Sequence, residues 1–568
     1  MRRVAGAAAI IFLGNVASRV LGLVRELVIA ALFGATGATS AYRTAAQLAT
    51  QAYDLLISGA ISAALVPVFT DYADAPDRRA FARVVSVVLN LLLLALAVLL
   101  LALGLAAPWL VRLLGADPAY LALTVTLTRW ALLSVFFLGV AGVVTAACYA
   151  RRDFKWPALA TAAYNLGIIA AALGLTRLWP PGDASIVALA IGLVLGALLQ
   201  AAVQLPGLRD VRYQPLLDWR HPGVRRALRL YAPVVAGLVV TNVGVGWYLF
   251  LAWQAGPDVL ATLGFATNLV QFPLGLVASA VSLAALPTLA RAAGGPTPPA
   301  SLPIREGGGD GPTPPAPFPA REGGVAASAA SAPPFLGREG GPGGLGPEAD
   351  YAATLTFAMR LVLLLILPAT AGLVALRVPA VALLFQRGAF DALATQRTAE
   401  AFAYFSPQLP FAALDQLFIV AFYARKDTRT PVLVGVGTVL LYILTAPVLC
   451  GCVGPAPFSP LGGNGLALAN ALQNSTHAVV LYLLLRRLLP ELGGGAGGFL
   501  LRVGLAALIM GLALQWALPA LTARLPVALV VVVGGALGAV VYAALLGLLR
   551  VPEARLLWEE IAGRLHRD

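Results

Sequence analysis

Charge is scarce in this chain. Only 11% of its 568 residues are charged, against roughly 25% in a soluble domain, which excludes an ordinary water-facing globular surface. Cysteine is scarcer still, with Cys148, Cys450 and Cys452 the three present, all in or at the ends of apolar runs. Three cysteines exclude a disulfide framework and leave room for one bridge at most. Cys450-Gly451-Cys452, without other ligands beside it, is not a metal site, and all three read as small buried apolar residues. The three histidines, His221, His477 and His566, have neither metal-ligand nor catalytic spacing. No Walker motif, paired-acid motif or Cys/His cluster occurs. An ATP-driven pump or a membrane enzyme acting on a sugar therefore lacks its chemistry here, and no metal or cofactor is expected.

What the chain has instead is apolar length. Hydrophobic residues make up 60% of it, and about fourteen runs approach the roughly 20 residues that an apolar helix needs to span a bilayer. The expected fold is an all-α polytopic membrane protein of about fourteen transmembrane helices. The opening Met1-Arg2-Arg3 and its apolar run resemble a signal peptide, but the run is long, contains charge and has no small-residue cleavage site, so it is read as a retained span. With the N-terminus inside, 29 of the 39 Lys and Arg residues fall in inner segments and 6 in outer ones. Cytoplasmic loops carry the basic excess, so both termini are expected in the cytoplasm. The net charge of +13 is then a consequence of topology and needs no nucleic-acid partner.

Two internal repeats organise these spans. Tyr149-Ala150-Arg151-Arg152-Asp153 recurs 274 residues later as Tyr423-Ala424-Arg425-Lys426-Asp427, each between two spans on the inner side, where it serves as a topological anchor. A fainter match pairs Gly59–Pro67 with Ser279–Pro287, offset by 220. Removing residues 294–350, a Gly/Pro/Ala/Ser stretch in which Arg-Glu-Gly-Gly recurs, nearly reconciles the two offsets. A six-span unit repeated in parallel orientation follows, with an N-terminal lobe at 1–208 and a C-terminal lobe at 209–490. The insertion 294–350 cannot bury enough apolar surface to offset chain entropy and is expected to be disordered. A further pair of spans at 491–550 and a cytoplasmic tail at 551–568 complete the chain.

Within the spans, the ionisable residues point to function, because a charge near mid-membrane is expensive and normally faces a wet cavity, a partner or a substrate. Ser18–Gly34 contains Arg19, Arg25 and Glu26. At 100° per residue Arg19 and Glu26 share a helix face, with Arg25 about 120° from Arg19. The second span carries Arg43, Gln47, Thr50 and Asp54 on one face, a polar stripe read as lining a hydrated cavity. The eighth has a shorter stripe of Thr267, Asn268 and Gln271, continued by Ser279 and Ser282. Asp415, ten residues before Arg425, lies near mid-membrane in the tenth span and is a candidate proton or cation site, or a carboxyl paired with a neighbouring helix.

At Ser18–Gly34, Gly59–Pro67, Leu384–Asp391 and Phe422–Pro431 the sequence resembles the MurJ/MviN family of lipid II flippases, within the multidrug/oligosaccharidyl-lipid/polysaccharide (MOP) exporter superfamily. The resemblance implies two pseudo-symmetric six-helix lobes, an additional C-terminal pair of helices forming a groove for an undecaprenyl tail, and a cavity between helices 1, 2, 7 and 8 where arginines meet a lipid-linked diphosphate. Arg19 and Arg25 match the family's first-helix arginines. The sequence departs from the family's usual charges at Ser40, Tyr53-Asp54, Ser58 and Asn268, with Arg43 a replacement for one lost arginine. The implied activity is movement of lipid II from the cytoplasmic to the outer leaflet, with membrane lipids and H+ or another ion as further partners. A flippase for another lipid-linked oligosaccharide, a cation or drug antiporter of the same superfamily, and a non-transporting scaffold for cell-wall enzymes are the alternatives at this point. A cavity with two or three arginines favours the anionic lipid diphosphate.

Overall fold

The computed structural model describes residues 2–58, 64–74, 78–178, 182–275, 347–452 and 461–555. The repeat partners 59–63 and Ser279–Pro287, residues 294–346 of the insertion and 556–568 of the tail lie outside them. The regular structure among the described residues is helical: α1 (Arg2–Phe33), α2 (Gly37–Tyr53), α3 (Val66–Ala73), α4 (Arg78–Leu113), α5 (Leu121–Ala150), α6 (Lys155–Leu175), α7 (Val187–Gln204), α8 (Pro222–Ala255) and α9 (Val259–Pro273). Beyond the insertion come α10 (Pro347–Ala375), α11 (Arg377–Phe385), α12 (Ala392–Phe405), α13 (Gln408–Ala424), α14 (Arg429–Cys450), α15 (Gly463–Leu488), α16 (Ala496–Arg524) and α17 (Val527–Leu548). Residues 347–350, counted with the insertion from composition, thus begin α10. Among the described residues eight helices are long and apolar enough to cross a membrane, and α12 with α13, bent by 51°, form a ninth candidate. That bend falls at Ser406-Pro407, where proline brings no backbone N–H to the helical ladder.

Contacts divide the described residues into two compact units, the first running to Phe265 and including Arg387–Ala394, the second comprising 266–275, 347–386 and the described residues from Thr395 onward. In the first, small residues set the helix spacing, as expected where lipid supplies no hydrophobic force between helices. A Cβ on Gly167 of α6 would lie 2.5 Å from the Gly196 Cα of α7, and one on Gly14 of α1 would lie 2.3 Å from the Ala158 carbonyl oxygen of α6. A π-helical turn at Asp54–Ser58 follows α2. The first turns of α8 also belong to this unit: Arg226 pairs with Asp71, and the Tyr231 hydroxyl donates to the Leu55 carbonyl.

In the second unit α10, α13 and α15 pack around Tyr351, Phe418, Phe422 and Leu481, all nearly fully buried. The Tyr351 hydroxyl donates to the Ala421 carbonyl at 2.7 Å. The Cα atoms of Cys450 and Cys452 are 5.2 Å apart in a bridge across left-handed Gly451, so these two are not the free apolar residues expected from the sequence, whereas Cys148 is free and buried.

The repeated Tyr-Ala-Arg-basic-Asp segments have the same geometry. Arg152 and Lys426 adopt left-handed φ values of 61° and 62°. Asp153 N–H reaches back to the Cys148 carbonyl at 2.9 Å, and Asp427 N–H to the Phe422 carbonyl at 3.0 Å. Each turn closes one helix with a six-to-one bond. Each then starts the next, the aspartate side chain accepting the N–H of Lys155 or of Arg429.

Candidate functional site

The first unit holds a buried charge cluster built from α1, α2 and α6. Glu26 is only 5% exposed, in a helix whose apolar neighbours offer it nothing. Its Oε1 accepts from Arg25 Nη2 at 3.0 Å and its Oε2 from Arg43 Nη2 at 2.8 Å. Arg25 also donates through Nη1 to Asn165 Oδ1 of α6 at 3.0 Å, and the Asn165 amide is itself held by the Thr161 carbonyl at 3.2 Å. A charge taken out of water is tolerated far better when it is paired, and each of the three charges here is paired. Two guanidiniums around one carboxylate leave one net positive charge.

Arg43 is aimed by its surroundings. Its guanidinium carbon lies 4.6 Å from the centre of the Phe265 ring, a cation–π contact. A Cβ on Gly264 would come within 2.5 Å of it, so only glycine leaves the guanidinium its place. The Phe265 ring is held in turn by an edge contact with Phe390 at 5.2 Å. Around Arg43, α2 is tied to α8 and α9: Trp253 Nε1 donates to the Thr44 hydroxyl at 3.0 Å, and Ala261 N–H donates to Ser40 Oγ at 3.0 Å. Ser40 thus anchors the start of α9.

Of the residues expected from sequence, the structure brings Arg25, Glu26 and Arg43 together. Arg19 is exposed two turns earlier on α1. Gln47, Thr50 and Asp54 continue from Arg43 along α2 and are partly buried, with the Thr50 hydroxyl returned to the Ala46 carbonyl of its own helix at 2.9 Å. Asp54 begins the π-helical turn, a distortion frequent at functional sites. Asn268 and Gln271 lie on the part of α9 beyond Phe265, which belongs to the second unit. Ser279 and Ser282 fall outside the described residues. Asn165 is not among the residues expected from sequence, although a lone amide in the apolar run of α6 is the kind of residue that membrane burial makes conspicuous.

A second polar seam lies inside the second unit between α13 and α15. Asp415 Oδ1 is 2.6 Å from His477 Nδ1, and His477 Nε2 is 3.2 Å from the Pro431 carbonyl oxygen of α14. A carbonyl only accepts, so Nε2 carries a proton, and a second proton lies between Nδ1 and the carboxylate. The pair therefore holds one exchangeable proton in a half-buried place. One and two turns away, Asn474 donates to Gln408 and, at 3.1 Å, to Asn470. His477, set aside in the sequence for want of metal spacing, is the partner that Asp415 required. Among the described residues no group of three metal-ligating side chains occurs.

Helices in this order and packing occur in known proteins. A family model described as Lipid II flippase MurJ matches residues 29–296 and 346–533. The chain is 27% identical over 511 residues to the lipid II flippase MurJ of Burkholderia cenocepacia, covering 88% of this chain and 87% of that one. It is 28% identical over 532 residues to a probable lipid II flippase MurJ of Haemophilus influenzae, covering 88% and 90%. Its fold is similar to a solved lipid II flippase MurJ in an inward closed conformation, with a TM-score of 0.71, 19% identity and 94% and 97% of the two chains covered. It is also similar to an inward-facing multidrug resistance MATE transporter of the MOP superfamily, at a TM-score of 0.62, 13% identity and coverage of 84% and 95%.

Proposed function

The chain belongs to the lipid II flippase MurJ family, and from that premise we propose that it moves lipid II from the cytoplasmic to the outer leaflet of a bacterial cell membrane by alternating access, for peptidoglycan synthesis. It is a multi-pass membrane transporter, and no bond in the cargo has to be made or broken. Both termini are placed in the cytoplasm on the distribution of Lys and Arg. The lobes at 1–208 and 209–490 are the moving halves, with 491–550 lying beside the lipid tail.

The observation that carries this reading is the Arg25–Glu26–Arg43 cluster, with its one net positive charge inside apolar helices. Guanidinium presents forked donors matched to phosphate oxygens and keeps its charge in a low-dielectric site. In the absence of cargo, Glu26 pairs with both guanidiniums. A lipid diphosphate brings more charge and more acceptor oxygens than one carboxylate, so it displaces Glu26 from Arg43, while Asn165 keeps Arg25 oriented. Exposed Arg19 makes the first electrostatic contact, and Gln47, Thr50, Asp54, Asn268 and Gln271 supply polar contacts to the sugar and peptide.

With no nucleotide-binding motif, direction comes from the membrane potential or an ion gradient. One elementary charge crossing 100 mV is worth about 2.3 kcal/mol, close to a fiftyfold bias. The single exchangeable proton of Asp415 and His477 makes that pair the candidate coupling site. Complementation of a strain depleted of its lipid II flippase tests the reading. The wild-type chain should restore growth, and Arg25→Ala and Arg43→Ala, inserted at normal levels, should not. Full rescue by both variants would remove the cluster from the mechanism.

A further inference from the structure

We propose that a cavity at the start of α16 and just past the end of α17, remote in sequence from the cargo cluster, binds the headgroup of a monoanionic phospholipid bearing a hydroxyl donor, of the phosphatidylglycerol class. The cavity is about 170 Å³ and is lined by Arg360, Arg502 and Glu553 together with Gly495, Gly498 and Phe499. It lies within the second unit.

Three features define the ligand. First, α16 is a 29-residue helix whose N-cap, Gly495, is left-handed at φ 69° and gives no side-chain cap. The Ala496 N–H donates to the Gly493 carbonyl at 2.9 Å; the first-turn N–H groups that follow have no helical acceptor and carry the positive end of the helix dipole. A Cβ on Gly497 or Gly498 would meet nothing within 4 Å, so an anion can approach that turn closely. Second, the Arg360–Glu553 pair is incompletely satisfied. Arg360 donates to Glu553 Oε1 at 2.8 Å and to the Gly494 carbonyl at 2.7 Å. Arg360 Nε and Glu553 Oε2 are buried without a hydrogen-bond partner, although the Glu553 side chain is only 9% exposed. Such groups carry a desolvation cost until a partner arrives. Both atoms are sealed while the pair stands, so a ligand meets them only by parting Arg360 from Glu553; Nε then takes an acceptor and Oε2 a donor, which an oxyanion and a hydroxyl supply together. Third, Arg360 and Arg502 against Glu553 leave one net positive charge, which matches a phosphodiester.

The apolar surroundings point to a lipid rather than a soluble ester. Leu501, Leu505, Leu508, Leu512 and Trp516 are all exposed, from 44% at Leu505 to 87% at Trp516. Their spacing forms one stripe along α16 that starts beside Arg502, a track for acyl chains. A basic pocket at membrane-helix ends holding an anionic headgroup follows the general pattern of lipid recognition.

The full chain, reconstituted in nanodiscs of phosphatidylcholine with phosphatidylglycerol or with phosphatidylethanolamine and released for native mass spectrometry, should retain phosphatidylglycerol preferentially. Arg502→Gln should lower that retention about tenfold, the loss of one charge-assisted hydrogen bond. Gly498→Val, which fills the open space over the first turn, should do the same. Both should leave the melting temperature in pure phosphatidylcholine unchanged, since a Cβ at Gly498 would meet nothing within 4 Å and Arg502 stands in the cavity wall. Phosphatidylglycerol retained equally by the wild-type chain and both variants overturns the site. Stabilisation by soluble glycerol phosphate in phosphatidylcholine discs, without phosphatidylglycerol preference, overturns the lipid assignment and identifies a free phosphate ester as the occupant.

Discussion

Glu26 on α1 and Arg43 on α2, seventeen residues apart in sequence, are joined by a 2.8 Å ion pair that is buried at the acid and nearly so at the base. The same carboxylate neutralises Arg25, so one acid supports two buried guanidiniums. Replacing Glu26 by Ala should cost about 3 to 5 kcal/mol, the usual loss on orphaning a buried charge. The Glu26→Ala/Arg43→Ala double variant should be less destabilised than the sum of its singles by about 1 to 3 kcal/mol. Unfolding of the four proteins in one detergent measures the cycle, and strict additivity would mean that the pair is not coupled.

Asp415→Asn should slow turnover without abolishing cargo binding, because it removes the proton acceptor facing His477 and leaves the first unit untouched. Collapsing the membrane potential should stop the appearance of lipid II on the outer face. Flipping that continues with unchanged direction in de-energised vesicles would separate the flippase assignment from its coupling and refute the latter.

Deleting residues 294–346 should leave membrane insertion and complementation intact, since their Gly/Pro/Ala/Ser composition offers little apolar surface to bury. Immunoblotting of membranes from cells making the shortened chain checks this, and its disappearance would mean that the segment contributes to folding.

Gly167→Ala should destabilise the chain by about 1 to 3 kcal/mol, the cost of overpacking, because its methyl would press on Gly196 at 2.5 Å. Gly174→Ala, on the same helix with nothing within 4 Å, should be neutral or stabilising by about 0.5 kcal/mol through lower chain entropy. A reversed order of melting temperatures would show that close approach of α6 and α7 does not set their packing.

The Asp427 turn should open in acid. Partial burial alone would raise its carboxyl pKa, but the Thr430 hydroxyl and the backbone N–H groups of Thr430 and Arg429 hold it below its ordinary 3.8. A carboxylate depressed in the folded state contributes stability in full above that ordinary value, and loses it as pH falls through the lower folded-state value. Hydrogen exchange at Thr430, corrected for intrinsic pH dependence, should accelerate in that window. Asp427→Asn should abolish the acid dependence.

The sequence by itself determined the class of molecule and much of its local structure. Apolar runs of bilayer length can only become helices in lipid, where each backbone polar group must be satisfied within its own segment. The repeated Tyr-Ala-Arg-basic-Asp segment was legible as a recurrent helix-to-helix turn because its bonds are local, and Arg152 and Lys426 adopt the same left-handed conformation. The cost of membrane charge singled out Arg25, Glu26, Arg43 and Asp415 for the same reason: a local sequence is enough to reveal an expensive residue.

Partners were decided only in three dimensions. Nothing local shows that Asn165, 140 residues from Arg25, would hold its guanidinium, or that His477, 62 residues from Asp415, would share its proton. Gly264 and Phe265 close around Arg43 only because α9 returns to α2. The cavity of Arg360, Arg502 and Glu553 likewise joins three stretches that are unremarkable apart. Helical period sets the direction in which a side chain leaves its own axis, whereas the packing of small residues between helices sets what it meets.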